Sequence, residues 1–291
     1  MLFHEPALLK EVLKLLKVKQ GEKYIDCTLG GGGHAKAILK KGGILLGIDW
    51  DKEAIEYSQK RLDQSCPGCN YHLVLGDFSN LEKIAQEKKF TQVSGILFDL
   101  GVSLHQLKSA KRGFSFLQDV PLDMRMSNGL SIKAVDLING LNKGELYELF
   151  SKLAQENRAL AIAKAIVSAR RLKKIETTNE LVKIIKRIKK EKTKIHPATK
   201  VFLALRIIVN DELNNLKKSL PQAVELLKKG GRLVVLSFHS GEDRIVKQFF
   251  KKSALEKKLK IMTKKPLKGL PFELQRNPAS RSVRARVAEK I

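Results

Sequence analysis

Residues 24–34 read Tyr24-Ile25-Asp26-Cys27-Thr28-Leu29-Gly30-Gly31-Gly32-Gly33-His34, an apolar run that closes on four glycines and opens onto an amphipathic stretch. Glycine suits a chain that turns sharply or must bring its backbone against a ligand without a Cβ in the way. A helix start just beyond adds unpaired N–H donors. Many nucleotide-binding α/β folds open this way, although a tight turn with no ligand has the same pattern. The flanking sequence supplies the context. Strands are predicted at 24–29, 44–49, 72–77 and 93–100, and helices at 33–41, 52–62 and 79–88, behind a lead-in helix at 7–16. Such alternation indicates right-handed βαβ units and a parallel sheet. Ser79 with Glu82 has the spacing of a capping box.

Beyond Leu100 the rhythm changes. Helical patterns recur at 143–153, 156–172, 178–190 and 198–210, with a second cap signature at Thr177-x-x-Glu180. Then the α/β pattern resumes: a helix at 211–229, Gly230-Gly231 as its stop, a buried strand at 232–238, and weaker strands at 258–263 and 282–288. The prediction is an α/β, doubly wound, mostly parallel sheet interrupted by an all-helical insertion of about a hundred residues, too long to be a structureless loop. The expected division is 1–104 and 212–291 for the sheet domain and 105–211 for the insertion.

Apolar residues make up 43% of the 291 and charged residues 30%, ordinary for a globular protein. No run approaches the ~18 apolar residues of a membrane span, and no secretion signal is evident. Three cysteines make no disulfide framework, which fits a cytoplasmic location. The informative bulk property is a net charge of +26 and its distribution. Residues 1–100 hold 14 basic and 13 acidic side chains, residues 101–210 hold 22 and 9, and residues 211–291 hold 20 and 8. Forty-two of the 56 basic residues are lysine, yet a general lysine bias would not spare one third of a chain. A positive field confined to the remainder points to a polyanion, RNA or DNA.

Specific residues refine the reading. Asp49 ends the second strand, where an acid accepts hydrogen bonds from both hydroxyls of an adenosine ribose, for NAD and S-adenosylmethionine alike. Phe78 follows the third strand and could lie against an adenine. Asp99 ends the fourth strand, beside the crevice where doubly wound sheets take ligands. Arg112, Phe114, Phe116 and Arg125 alternate charge and aromatic surface, suited either to phosphates and bases or to core packing. The lysine-rich stretches 183–194 and 251–268 are either solvated helix faces or RNA contacts. Cys66-Pro67-Gly68-Cys69 with His72 resembles half a zinc site, but four ligands are normally required and no metal is expected. His239, in Ser237-Phe238-His239-Ser240, either lines the site or bonds within its turn.

A resemblance covers essentially the whole chain, in order. It is carried by Asp26-x-Thr28-x-Gly30-x-Gly32-Gly33-His34, Gly47-Ile48-Asp49-x-Asp51, Asp99-Leu100-Gly101-Val102-Ser103 and Arg112-Gly113-Phe114-Ser115-Phe116. It continues through Pro121-Leu122-Asp123-Met124-Arg125-Met126, His196-Pro197-Ala198-Thr199, Val209-Asn210-x-Glu212-Leu213, Ser237-Phe238-His239-Ser240 with Glu242-Asp243-Arg244, and Asn277-Pro278. These segments resemble the bacterial MraW (RsmH) family, methyltransferases acting on cytosine N4 of small-subunit (16S) ribosomal RNA, near the decoding centre. The resemblance implies a Rossmann-like methyltransferase fold with S-adenosylmethionine as cofactor. It also implies cofactor contacts at Gly32, Gly33, His34, Asp49, Phe78, Asp99 and Gln106. The implied partner is 16S RNA or the small ribosomal subunit, with no membrane; either a monomer or a homodimer is compatible. Leu104-His105 stand where the family has Ser-Pro, and Lys108 where it has Asp.

The chemistry asked of such an enzyme is alignment of a poor amine nucleophile with an electrophilic methyl group. An acceptor for the amine hydrogens, Asp99 or a carbonyl of residues 100–103, would serve. The target base must leave any stack to reach it. An NAD-linked oxidoreductase and a non-catalytic RNA-binding protein are the competing classes.

Overall fold

The computed structural model describes residues 6–103, 106–107, 112–189, 195–269 and 277–291. The divergent loop positions Leu104, His105 and Lys108 and the 190–194 part of the lysine-rich stretch 183–194 lie outside the described residues. Two compact units result, one of Met1–Ser103 with Leu213–Ile291 and the other of Leu104–Glu212.

The first unit is built on one sheet whose strand order is β3-β2-β1-β4-β5-β7-β6. Its strands are β1 (Lys23–Asp26), β2 (Ile44–Asp49), β3 (Tyr71–Leu75), β4 (Val93–Asp99), β5 (Leu227–Ser237), β6 (Leu259–Ile261) and β7 (Arg284–Lys290). Strands β1 to β5 run parallel; β7 is antiparallel to both β5 and β6. The central strands are buried on both faces, as parallel sheets require. Alternate residues go to opposite cores. Ile25, Leu46, Ile96, Phe98, Leu233 and Val235 face one core. It is covered by α4 (Leu81–Glu87), the first-unit part of α10 (Glu212–Leu226) and α11 (Ser240–Leu255). Tyr24, Leu45, Leu97, Val234 and Leu236 face the other, under α1 (Leu9–Leu16), α2 (Gly33–Lys40) and α3 (Lys52–Ser65). The sheet is doubly wound.

The second unit is helical: α5 (Ala134–Gly140), α6 (Lys143–Glu148) running into a π turn at Leu149–Leu153, α7 (Ala159–Leu172), α8 (Thr178–Ile188) and α9 (Thr199–Val209). Phe150, Ile162, Ile166, Leu181, Ile185 and Leu205 are fully buried within it. Thr177 caps α8 as its spacing predicts: its hydroxyl accepts from Glu180 N, while Glu180 Oε2 accepts from Thr177 N at 3.2 Å.

Three local predictions are corrected. Ser79 does not cap α4. Asp77, two residues earlier, accepts from Ser79 N at 2.8 Å and starts a 3-10 turn at Phe78–Asn80, so the helix begins at Leu81. Gly230-Gly231 does not end a helix, since α10 stops at Leu226 and the glycines lie inside β5. There the register against β4 shifts between Val93 and Gly95. Gly230 has φ 76°, and a Cβ on Gly231 would lie 2.9 Å from the Val93 carbonyl oxygen, so the bulge needs both glycines. Finally, α5 has no counterpart among the predicted elements. Among the described residues no helix is long and apolar enough to cross a membrane.

Candidate functional site: a cofactor cradle at the carboxyl ends of the strands

The parallel strands β1, β2 and β4 each end in an aspartate: Asp26, Asp49 and Asp99. The glycine turn joins the first of these ends to α2. Gly30 and Gly32 have φ of 50° and 67°, a region that L side chains rarely adopt. The two family-implied glycines also carry a packing demand, because a Cβ on Gly32 would sit 2.9 Å from Ser58 Oγ and one on Gly33 2.9 Å from the Pro6 ring. Helix α3 grips the turn from behind. Ser58 Oγ donates to the Gly30 carbonyl at 2.8 Å, and Arg61 Nη1 donates to the Gly31 carbonyl at 2.5 Å. The turn's carbonyls are thereby occupied, while the first N–H groups of α2 stay available to an anionic ligand group.

Asp49 is fastened to the same turn. Its Oδ2 accepts from Gly30 N at 2.8 Å and its Oδ1 from Asp51 N at 2.9 Å. Burial pushes its pKa up to about 7, against the pull of those two amides. Each carboxylate oxygen has a second lone pair, so the group can still accept from a pair of hydroxyls. Phe78 stands in the 3-10 turn after β3, half-buried, and meets Phe98 edge to face at 5.6 Å.

Asp99 and His34 face each other. His34, in the first turn of α2 and 4% exposed, has its Nε2 3.3 Å from Asp99 Oδ2. The two are close without hydrogen-bond alignment. Both ring nitrogens of His34, Asp99 Oδ1 and Asp26 Oδ2 are buried without a hydrogen-bond partner among the described residues. Orphaned polar atoms of this kind are costly unless a ligand or a proton serves them. A cofactor with polar groups fits here: hydroxyl acceptors, helix-start donors and acids with one unengaged oxygen each among the described residues occur together. Gln106 is buried in the second unit.

Sequence reasoning missed part of this arrangement. Asp26 was legible only as one letter of the glycine motif, although its place at a strand end matches that of Asp49 and Asp99. Thr28 links two of the ends, its backbone N donating to Asp26 Oδ1 at 3.2 Å and its Oγ1 accepting from Asp99 N at 2.6 Å. Ser58 and Arg61 carried no signal, since nothing in a helix pattern says which residue will meet a turn some thirty positions away.

Other residues take plainer roles. Arg125 is committed to its own loop: Nε and Nη2 bind Asp123, and Nη1 donates to the Leu130 carbonyl. It braces that loop and is not a free phosphate contact. Phe114 is buried, whereas half-buried Phe116 stacks on His196 at 4.3 Å. His239 bonds within its turn. It caps α11 by accepting from Gly241 N, and Glu242 accepts from the His239 backbone in return. Cys66 and Cys69 form a disulfide three residues apart, so their sulfurs are not metal ligands. The sequence predicts no disulfide framework, and this link only closes the turn that ends α3.

A doubly wound sheet with a glycine turn after β1, a buried acid fastened to that turn after β2 and, after β4, an acid with one oxygen unengaged among the described residues defines a Rossmann-like protein that holds a nucleoside cofactor. Within that class, the chain belongs to the MraW methylase family, whose sequence profile matches residues 1–291. It is a methyltransferase of the Rossmann-like kind, and S-adenosylmethionine is its cofactor. It is similar to the ribosomal RNA small subunit methyltransferase H of Coprothermobacter proteolyticus, 42% identical over 290 residues, covering 99% of this chain and 96% of the relative. The protein of that name from Persephonella marina is 42% identical over 296 residues, with both chains covered in full. That of Thermomicrobium roseum is 43% identical over 311 residues, covering 99% of this chain and 94% of the relative.

Proposed function

We propose that this protein transfers the methyl group of S-adenosylmethionine to the exocyclic N4 amine of a cytosine in 16S ribosomal RNA, near the decoding centre, in the cytoplasm. The relatives' shared name supports the ribosomal substrate; the cytosine and its N4 position follow the family resemblance. The observation that carries the reading is Asp99, an acid at the end of a central strand with a buried oxygen, Oδ1, that no described residue engages.

When bound, S-adenosylmethionine supplies a methyl group made electrophilic by its sulfonium. Asp49 receives the ribose hydroxyls, Phe78 lies against the adenine, and the N–H groups that Gly33 and His34 offer at the start of α2 meet the amino-acid end, with Gly32 shaping the turn. Gln106 completes the cofactor contacts. The N4 lone pair of cytosine is delocalised into the ring. Asp99 accepts a hydrogen bond from the amine, localises that pair on nitrogen, and holds the nitrogen in line for attack. Residues 1–104 and 212–291 serve as the methyltransferase domain. The basic insertion, 105–211, brings the RNA to it.

Incubating the protein with isotopically labelled cofactor and either naked 16S RNA or assembled small subunits tests the reading. Label is expected in RNA with the wild type, and Asp99→Ala is expected to lower transfer by at least about 1,000-fold. Methylation that continues in Asp99→Ala with only cofactor affinity reduced would contradict the amine-acceptor role.

A further inference from the structure

One buried acid has no task in the scheme above. Asp26, 1% exposed at the end of β1, has one oxygen held by Thr28 N and the other without a partner among the described residues. Thr28 ties it to the end of β4 through Asp99 N. His34 stands 3.3 Å from Asp99, with neither ring nitrogen engaged. Acids at the ends of β1 and β4, joined through Thr28, and an imidazole of α2 beside the second acid therefore carry four polar atoms without a hydrogen-bond partner among the described residues. Each such atom is costly when left unsatisfied. The backbone N–H of His34 suffices for its cofactor contact, which leaves the ring for other work.

The charges are coupled as well. Burial pushes Asp26 up to about 6; the imidazole of His34 pulls it down and the carboxylate of Asp99 pushes it up. Asp49, at the next strand end, is also within electrostatic reach of Asp26. A group poised there can hold or release a proton near neutral pH.

We infer that Asp26, His34 and Asp99 form a buried relay that accepts the proton the target amine must lose, with His34 the stop beyond Asp99. The inference rests on the proposed amine methylation. The nitrogen lone pair forms the new N–C bond, and sulfur keeps the electron pair of the C–S bond that breaks. The cationic nitrogen then gives one proton to the Asp99 carboxylate and retains the electrons of that N–H bond. Asp99 passes the proton to His34 Nε2. The resulting imidazolium faces the Asp99 carboxylate and is within electrostatic reach of Asp26 until the proton leaves to solvent. Asp26 touches neither substrate nor cofactor; it is a positioning residue that stabilises the charged ring.

Two measurements on the full-length protein test this. The first needs no RNA: carbon NMR of the Asp26 carboxyl through a pH titration. A midpoint near 6 is expected in the wild type, moving up in His34→Gln and down in Asp99→Asn. A midpoint that stays put in both variants overturns the relay. The second is single-turnover methyl transfer at saturating cofactor across pH 5.5–9. His34→Gln is expected to lower the rate about 100-fold and to remove the acid limb of the profile. Asp26→Asn is expected to lower it about 10-fold and to displace that limb, with S-adenosylhomocysteine still bound by both. A slower Asp26→Asn with an unmoved profile, or a full-speed His34→Gln, sinks the relay. Absence of transfer to ribosomal RNA by the wild type contradicts the proposed function instead, and the NMR titration then decides the relay alone.

Discussion

At the scale of single residues, the site's character comes from acids that burial holds near their point of protonation. Asp49 is the clearest case. Its folded pKa of about 7 lies above the ordinary carboxylate value. The sign follows: the neutral form is favoured by folding, so this contribution to stability is complete in acid and is lost as pH rises through about 7. The ionised form is the better acceptor for two ribose hydroxyls, so cofactor binding should recover what ionisation costs. S-adenosylhomocysteine measured by calorimetry should bind about ten-fold more tightly at pH 8 than at pH 6. A flat profile would remove Asp49 from the ribose. The position of this residue was legible in sequence because it depends only on ending a strand beside a glycine turn. The Asp26–His34–Asp99 cluster was not, because the approach of two strand ends and a helix start has no linear signature.

At the scale of elements, hydrophobic pattern located the alternating strands and helices of the first hundred residues closely, since period and turn residues act locally. The failures came where tertiary contacts decided the outcome. Gly230-Gly231 has the composition of a helix stop, yet the pairing of β5 with β4 makes it a bulge. Ser79 has the spacing of a cap, but Asp77, two residues earlier, takes the capping role and accepts from Ser79 N. The antiparallel β7 depends on its partners and cannot be told from a parallel strand by its own letters. In the helical unit, the loop bearing Arg112 and Met124 is held by such contacts. Asn210, buried, accepts from Met126 N and donates to the Met124 carbonyl, both at 2.8 Å. Gly113, at φ 68°, would bring a Cβ within 2.4 Å of the Pro121 carbonyl oxygen. Gly113→Ala should therefore lower stability in urea unfolding by about 3 kcal/mol. A change below about 0.5 kcal/mol would mean the loop shifts freely.

At the scale of the whole molecule, charge is unevenly distributed along the chain. The cofactor end of the chain, residues 1–100, is balanced, while residues 101–210 and 211–291 carry +13 and +12. RNA affinity should fall steeply with salt, with log K against log[salt] showing a slope of several units; a slope near zero would remove the electrostatic role of the basic regions. The central claim, amino-methylation of one ribosomal cytosine, is tested most directly by mass spectrometry of 16S ribosomal RNA nucleosides from cells lacking the protein and cells regaining it. N4-methylcytidine is predicted to fall on loss of the protein, to return with the wild type, and to stay low with Asp99→Ala. A level of that nucleoside unchanged by removing the protein would contradict the account.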